Sequence, residues 1–286
     1  MTNLVIGATG TVGRQVVCQL VDTGIAVRAM ARRPEAAGLP PEVQVVRGDL
    51  TAPESLEACL DGVETLFLVW TAPRESAEAA LERIARRVRR IVYISAPFTI
   101  QHPFFQGALP NPSADLHAHN ERLIAASGME WTILRPGMFA ANALHFWALR
   151  IRAGVVRWPY LDTPTAPIDE RDIAAVAVRA LCENGYAGRE YVLTGPESLT
   201  QREQILTIAR VVGREPRIEE ISSDDARFEW TGFLPDDVVK HLLDAWAGGR
   251  GHPAYITHTV EEVTGVRART FRQWAADHAD LLAGVG

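Results

Sequence analysis

Three glycines spaced three apart, Gly7, Gly10 and Gly13, follow the apolar run Leu4-Val5-Ile6 and run into a helical pattern that opens near Thr11. A strand, a glycine turn and a helix N-terminus present backbone N–H donors to an anion, and any Cβ on the turn would hold that anion off. This is the unit that binds a dinucleotide pyrophosphate. Gly7 permits the tight turn, Gly10 lets the backbone approach the phosphates, and Gly13 lets the helix close on the sheet. Thr9, Thr11 and Val12 complete the expected contacts. A glycine turn serving packing alone is the bland alternative, and the order strand, turn, helix argues against it.

A dinucleotide site reads the adenosine ribose at the end of the second strand. A carboxylate there takes the ribose hydroxyls, whereas arginine binds a 2′-phosphate. The strand expected at Ala26–Ala31 ends in Arg32-Arg33-Pro34, with no acid before Glu35. Arg32, with Arg33 alongside, can meet the phosphate by charge and stack on the adenine. NADP(H) is therefore expected over NAD(H). Asp49 and Leu50, at the end of the third strand, are placed to touch the adenine edge. Asp49 can instead cap the turn that follows it.

These residues need a frame to hold them. Strand-like runs at 43–47, 65–70, 90–95 and 131–135 alternate with helical patterns at 11–23, 76–88 and 113–127. The alternation predicts an α/β fold, a doubly wound parallel sheet covered on both faces. Thr51 is placed to cap a short helix from Pro53. A long loop, Ala96 to Pro112, is rich in proline and aromatics. Beyond Gly137 the elements become shorter: helices are expected at 138–152, 170–182, 201–212, 236–247 and 267–282, and strands at 155–158 and 190–194. The expected division is a Rossmann domain over 1–137, with returning segments in 155–195, and a smaller C-terminal α/β substrate lobe over 138–286.

The chain has 286 residues and a net charge of −6, which argues against a general nucleic-acid binder. No apolar run reaches the ~20 residues that cross a bilayer, and no signal peptide fits the start. A cytoplasmic monomer or homodimer acting on a small molecule is expected, with no membrane partner. Cys18, Cys59 and Cys182 lie far apart, without metal-ligand spacing. No metal site is expected.

Several segments together resemble the NmrA-like atypical short-chain dehydrogenase/reductases. They are Gly7-Ala8-Thr9-Gly10-Thr11-Val12-Gly13, Arg32-Arg33, Gly48-Asp49-Leu50, Val92-Tyr93-Ile94-Ser95, and Ser127 to Gly137. Pro167 to Ala174 and Leu193 to Glu197 follow the same pattern. The resemblance covers residues 1 to 210. It implies NADP bound across the C-terminal strand ends, where Trp70 and Pro136 stand, with a small lobe closing over the nicotinamide. It also implies membership beside quinone, azo-dye and triphenylmethane reductases, isoflavone-reductase relatives, and redox-sensing regulators that turn nothing over.

Short-chain dehydrogenases ordinarily use Tyr-x-x-x-Lys, in which the lysine lowers the phenol pKa for proton transfer. Among 29 basic residues the chain has a single lysine, Lys240, with Asp236 four positions before it. Tyr93 is followed four positions later by Pro97, so the pair is absent. His117 is the substitute acid, since imidazole titrates near neutrality. In quinone-reductase-like members a histidine stands about where His117 falls, and in isoflavone-reductase-like members a lysine occupies this region. His119 is a weaker candidate. Ser95 matches the substrate-polarising serine of the short-chain family, or simply caps its strand. Phe139, Asn142, Phe146 and Trp147, with Phe104 and Phe105 from the long loop, form an expected aromatic slot; packing in the core is the alternative for most of them. The leading expectation is an NADPH-dependent reductase of a flat conjugated carbonyl compound: a quinone, an enone or a polyketide-like intermediate. A silent NADP(H)-binding sensor acting through a protein partner is the alternative, and an isomerase or cyclase with tightly held NADP is a third.

Overall fold

The computed structural model describes residues 2–106, 111–232 and 235–285. Its central sheet has seven parallel strands in the order β3-β2-β1-β4-β5-β6-β9. These are β1 (Thr2–Ile6), β2 (Val27–Ala31), β3 (Gln44–Arg47), β4 (Val63–Val69), β5 (Arg90–Ile94), β6 (Glu130–Pro136) and β9 (Arg189–Leu193). Strand order reverses between β1 and β4. In open parallel sheets, ligands bind in the crevice outside the carboxyl ends at such a point.

Both faces of the sheet are covered, as the continuous apolar character of β4 and β5 requires. On one face, α1 (Thr11–Asp22) and α6 (Glu170–Cys182) bury Val12, Val16, Val17, Leu20, Ile173 and Val176 against Val5, Phe67 and Val92. On the other, α2 (Glu57–Leu60), α3 (Ala77–Ala85) and α4 (Pro112–Ala126) cover Leu4, Leu66, Leu68 and Tyr93. The doubly wound arrangement read from the strand–helix alternation is the one present.

A third core belongs to the C-terminal lobe. It contains α5 (Leu149–Arg152), α7 (Gln201–Val211), α8 (Ser223–Trp230), α9 (Asp236–Gly249), α11 (Phe271–Asp277) and α12 (Ala279–Ala283). Two small sheets join them. Strand β7 (Val155–Trp158) runs parallel to β11 (Arg217–Glu220), and β8 (Pro164–Thr165) runs antiparallel to β10 (Leu199–Thr200). The return to the main sheet was expected from residue 155. It begins instead near Ile168, because Val156, Trp158 and Leu161 are buried in the lobe. Helix α10 (Thr259–Thr264) crosses back, packing Val260 on the α1–α6 face.

Three local expectations differ. Residues 138–152 do not form one helix: a π-helical turn at Leu144–Ala148 leads into α5. The pattern at 267–282 splits into α11 and α12 at His278. Thr51 caps nothing; the 3-10 turn Pro53–Leu56 has no side-chain cap, and the Thr51 hydroxyl donates to Asp49 instead. In the long loop, 107–110 lie outside the described residues. Among the described residues no helix is long and apolar enough to cross a membrane.

Candidate active site

A cleft of about 370 Å³ lies over the carboxyl ends of β1, β2 and β4. Its lower wall is the glycine turn: Gly7, Thr9, Gly10, Thr11, Val12 and Gly13 all line it. Gly7 has φ +86°, and a Cβ there would stand 2.7 Å from Cβ of Val69. A Cβ on Gly13 would fall 2.1 Å from the Gly7 carbonyl oxygen, so α1 closes on the turn only with glycine. Gly10 differs. A Cβ there would meet only the Gly7 oxygen, at 3.3 Å, so the space in front of it is open cleft. Helix α1 has no side-chain N-cap and no acid in its first turn. Unused N–H donors and the positive end of the helix dipole thus face a cavity that a side chain at Gly10 would fill, which suits a pyrophosphate.

Arg32 lines the cleft at its β2 end, exposed and without an ion-pair partner among the described residues. Arg33 is exposed and does not line it. Glu35, the first acid after the arginines, is drawn to Arg47 at 3.6 Å. Asp49 and Leu50 both line the cleft, yet the Asp49 carboxylate is already engaged. Its Oδ1 accepts from the Thr51 amide at 2.9 Å and the Thr51 hydroxyl at 2.8 Å, and these bonds hold its pKa below the ordinary range. The turn-capping role is the one its geometry displays.

The far end of the cleft is made by Val69, Thr71, Ala72, Ile94 and Phe139. Trp70, expected on the cofactor, points the other way; it is buried in the α2–α4 face, and its Nε1–H donates to the Ala72 carbonyl at 2.6 Å. Alternation along an extended segment puts its neighbours, not Trp70, on the cleft. Pro136 is paired with Leu193 of β9 and also lies off the lining.

The proton-transfer candidates are bonded to one another behind the strand ends. His117 Nδ1 lies 2.8 Å from the Tyr93 hydroxyl, which also accepts from Asn120 Nδ2 at 3.2 Å. Burial, aided by the Arg135 charge, pushes the His117 pKa down to about 4, so the ring is neutral at pH 7. Burial likewise raises the Tyr93 pKa well above its usual value. Neither residue lines the cleft. His119 turns to Arg74, 3.3 Å away. Ser95 donates to Glu121 Oε1 at 2.5 Å.

That serine is one end of a buried charge cluster which sequence patterning did not single out. Arg135, 2% exposed, pairs with Glu121 at 2.6 and 2.9 Å and with Glu190 at 2.8 Å, and donates to the Ala96 carbonyl. Glu190 is exposed, so the buried part is the Arg135–Glu121 pair, and removing Glu121 or Arg135 costs several kcal/mol because the other charge is left buried. The cluster ties β5, β6, β9 and α4 together at their site ends. Only the arginine within an apolar strand signalled it.

A second, apolar cleft of about 150 Å³ adjoins the first. Ile94 and Phe139 line the first, while Ala96 and Met138 line the second. Phe98, Phe104 and Phe105 of the long loop form one wall, and His241, Leu242 and Ala245 of α9 form the other. Of the expected slot residues, Phe104 and Phe105 are here and Phe139 lies on the cofactor cleft. Asn142 lines neither. Phe146 and Trp147 pack instead among Trp158, Trp230 and Trp246, with ring centroids 4.8–6.0 Å apart. Their helical spacing reflects the lobe core, where so much aromatic surface is most stable away from water. Sequence reading missed His241 because α9 approaches the site only in the folded chain.

Comparison with known proteins agrees with this geometry. Residues 7–184 match the NAD(P)H-binding family. The chain is 40% identical to the (4-alkanoyl-5-oxo-2,5-dihydrofuran-3-yl)methyl phosphate reductase of Streptomyces griseus, over 98% of this chain and 99% of that one. It is 31% identical to the NAD(P)H azoreductase of Xenophilus azovorans, over 96% and 97% of the two chains. The crystal structure of an NADPH-dependent quinone oxidoreductase from Escherichia coli superposes with a TM-score of 0.80 at 25% identity, covering 96% of this chain and 98% of that one. The chain belongs to the NAD(P)H-binding family, as an NmrA-like atypical short-chain dehydrogenase/reductase, and is an NAD(P)H-dependent oxidoreductase.

Proposed function

We propose that the protein uses NADPH to reduce the carbon–carbon double bond of a flat conjugated carbonyl compound, of the acyl dihydrofuranone type. The observation that carries this reading is the aromatic cleft of Phe98, Phe104, Phe105 and Met138 beside the far end of the cofactor cleft. The substrate named for the Streptomyces griseus relative, a ring alkene conjugated to a lactone and an alkanoyl carbonyl, fits that chemistry.

Backbone donors at Thr11 to Gly13 would hold the pyrophosphate, Arg32 would meet the 2′-phosphate, and Val69, Thr71, Ala72 and Phe139 would line the nicotinamide end. When bound, the reduced cofactor supplies a hydride. The protein's own task is to hold the acceptor flat between the phenylalanines and to keep water from the cofactor. Confinement of two reactants in this way is worth much of the barrier to a bimolecular step. Addition at the alkene carbon β to both carbonyls leaves the charge spread over two oxygens as an enolate, and a proton from solvent completes the saturated carbon. A strong protein acid is unnecessary for so delocalised an anion. This accounts for a site in which His117, Tyr93 and Ser95 are occupied with one another and with their neighbours.

The test is loss of NADPH absorbance with an α-acetyl butenolide, its hydroxymethyl phosphate derivative, menadione and an azo dye. Saturation of the butenolide alkene, identified by mass and NMR, is the expected product. Reduction of quinone or dye alone would replace the alkene reading by a broader electron-acceptor role.

A further inference from the structure

We infer that His241 contacts the substrate, its Nε2–H donating a hydrogen bond to the carbonyl oxygen on which charge develops. The inference rests on the alkene-reductase reading above. Among the described residues that line the second cleft, only Asn111, Ser113 and His241 carry polar side chains. His241 is half-buried on α9, opposite the loop wall of Phe98 and Phe105.

The orientation of its ring follows from Asn111. Oδ1 of Asn111 accepts from the Ala114 amide at 3.0 Å, capping α4, and this fixes which end of the amide is nitrogen. The Nδ2 of Asn111 then faces His241 Nδ1 at 3.5 Å, the long limit of a hydrogen bond. An amide nitrogen can only donate, so Nδ1 is the acceptor and the ring proton resides on Nε2. Among the described residues, no protein group accepts from Nε2. The imidazole is left with one N–H donor in a pocket whose other polar side chains are those of Asn111 and Ser113. A donor in low dielectric, fixed beforehand, stabilises a developing oxyanion far better than one in water.

This differs from His117, whose Nδ1 is bonded to Tyr93 behind the sheet ends. One histidine serves the scaffold; the other serves the pocket. Asn111 is a positioning residue that acts through His241, and α4 thereby contributes to the site by its N-cap rather than by His117.

The experiment compares the full chain with His241→Phe, His241→Ala and His241→Gln, using NADPH and α-acetyl butenolide, with NADPH affinity and thermal melting measured in parallel. His241→Phe and His241→Ala should each lower kcat by ~30-fold or more, with NADPH affinity unchanged. His241→Gln, which keeps an N–H donor, should recover to within ~5-fold of the original. The two unlike replacements keep the test informative if one of them fails to fold. A loss below ~10-fold in the folded variants, against an active original, overturns the assignment and leaves the reductase reading standing. Equal losses in all three overturn it as well, since packing rather than donation would then be responsible. An original chain that binds NADPH but does not consume it with the butenolide overturns the alkene-reductase reading and this assignment together.

Discussion

Arg32 carries the clearest consequence at the scale of single residues. It is exposed, lines the cleft and has no ion-pair partner among the described residues, so its charge is free for a 2′-phosphate. A charge-assisted hydrogen bond is worth roughly 1.5–3 kcal/mol, so NADPH should bind at least ~10-fold more tightly than NADH. Arg32→Ala should remove most of that preference with NADH affinity nearly unchanged; calorimetric titration of both cofactors decides the matter. His117 predicts a pH effect on stability. Its pKa is about 4 in the folded chain and near 6.5 when unfolded, so the unfolded chain binds the extra proton between those values. Stability is therefore lost as pH falls from 6.5 to 4, by about 3 kcal/mol in all. His117→Gln should flatten that part of the profile of melting temperature against pH, and lower kcat by less than ~10-fold. A kcat loss of ~100-fold would return His117 to the chemistry. The place of the glycine turn and Arg32 on the cleft was legible in the sequence because it depends on local geometry at the end of a strand. The destination of His117 was not, because Tyr93, Asn120 and Arg135 reach it from other elements.

Among the elements, α9 decides the shape of the second cleft. It extends two residues past the expected 236–247, so that Gly248 and Gly249 are helical. A Cβ on Gly248 would lie 2.6 Å from the Pro103 carbonyl, and one on Gly249 would lie 3.0 Å from the Phe104 ring. The glycines let the helix press on the loop that carries Phe104 and Phe105. Alanine at Gly248 favours the isolated helix by about 1 kcal/mol, but a contact of 2.6 Å must be relieved by moving the loop. Gly248→Ala should therefore raise KM for the carbonyl substrate several-fold and leave NADPH affinity unaltered. An unchanged KM would show that the loop does not shape the pocket. Helix existence along α6, α7 and α9 was legible from apolar periodicity, whereas the π-helical turn at 144–148 was not. Its distortion follows the packing of Phe146 and Trp147 into the tryptophan cluster, a constraint set by distant residues.

Taken whole, the described residues form three cores, and the C-terminal segment joins two of them. Glu170, at the start of α6 beneath the main sheet, accepts from Trp274 Nε1 at 3.1 Å and lies 3.4 Å from His278 Nε2. The bond to Glu170 raises the His278 pKa above its ordinary value. A raised histidine pKa adds stability that is complete below the unfolded value and disappears as pH rises through the folded one. This slope is opposite to that of His117, so together the two histidines place a maximum of stability near the ordinary histidine pKa. His278→Ala should lower the melting temperature at pH 6 more than at pH 9. An equal loss at both would assign the contact to packing on Trp274 alone.

By itself the sequence determined the parallel α/β architecture, the glycine turn between β1 and α1, the arginine at the end of β2 and the absence of a Tyr-x-x-x-Lys pair. Each is local, a matter of period, turn geometry or residue inventory within one strand–helix unit. The tertiary structure alone decided which aromatics are pocket and which are core, that Trp70 turns away from the cleft, and that Ser95 is bound to Glu121. It alone brought His241 to face Asn111 across 130 positions of chain. The physical reason is common to all of these: a side chain's role at this site depends on what approaches it from other elements, and that is set by the packing of the lobe against the sheet.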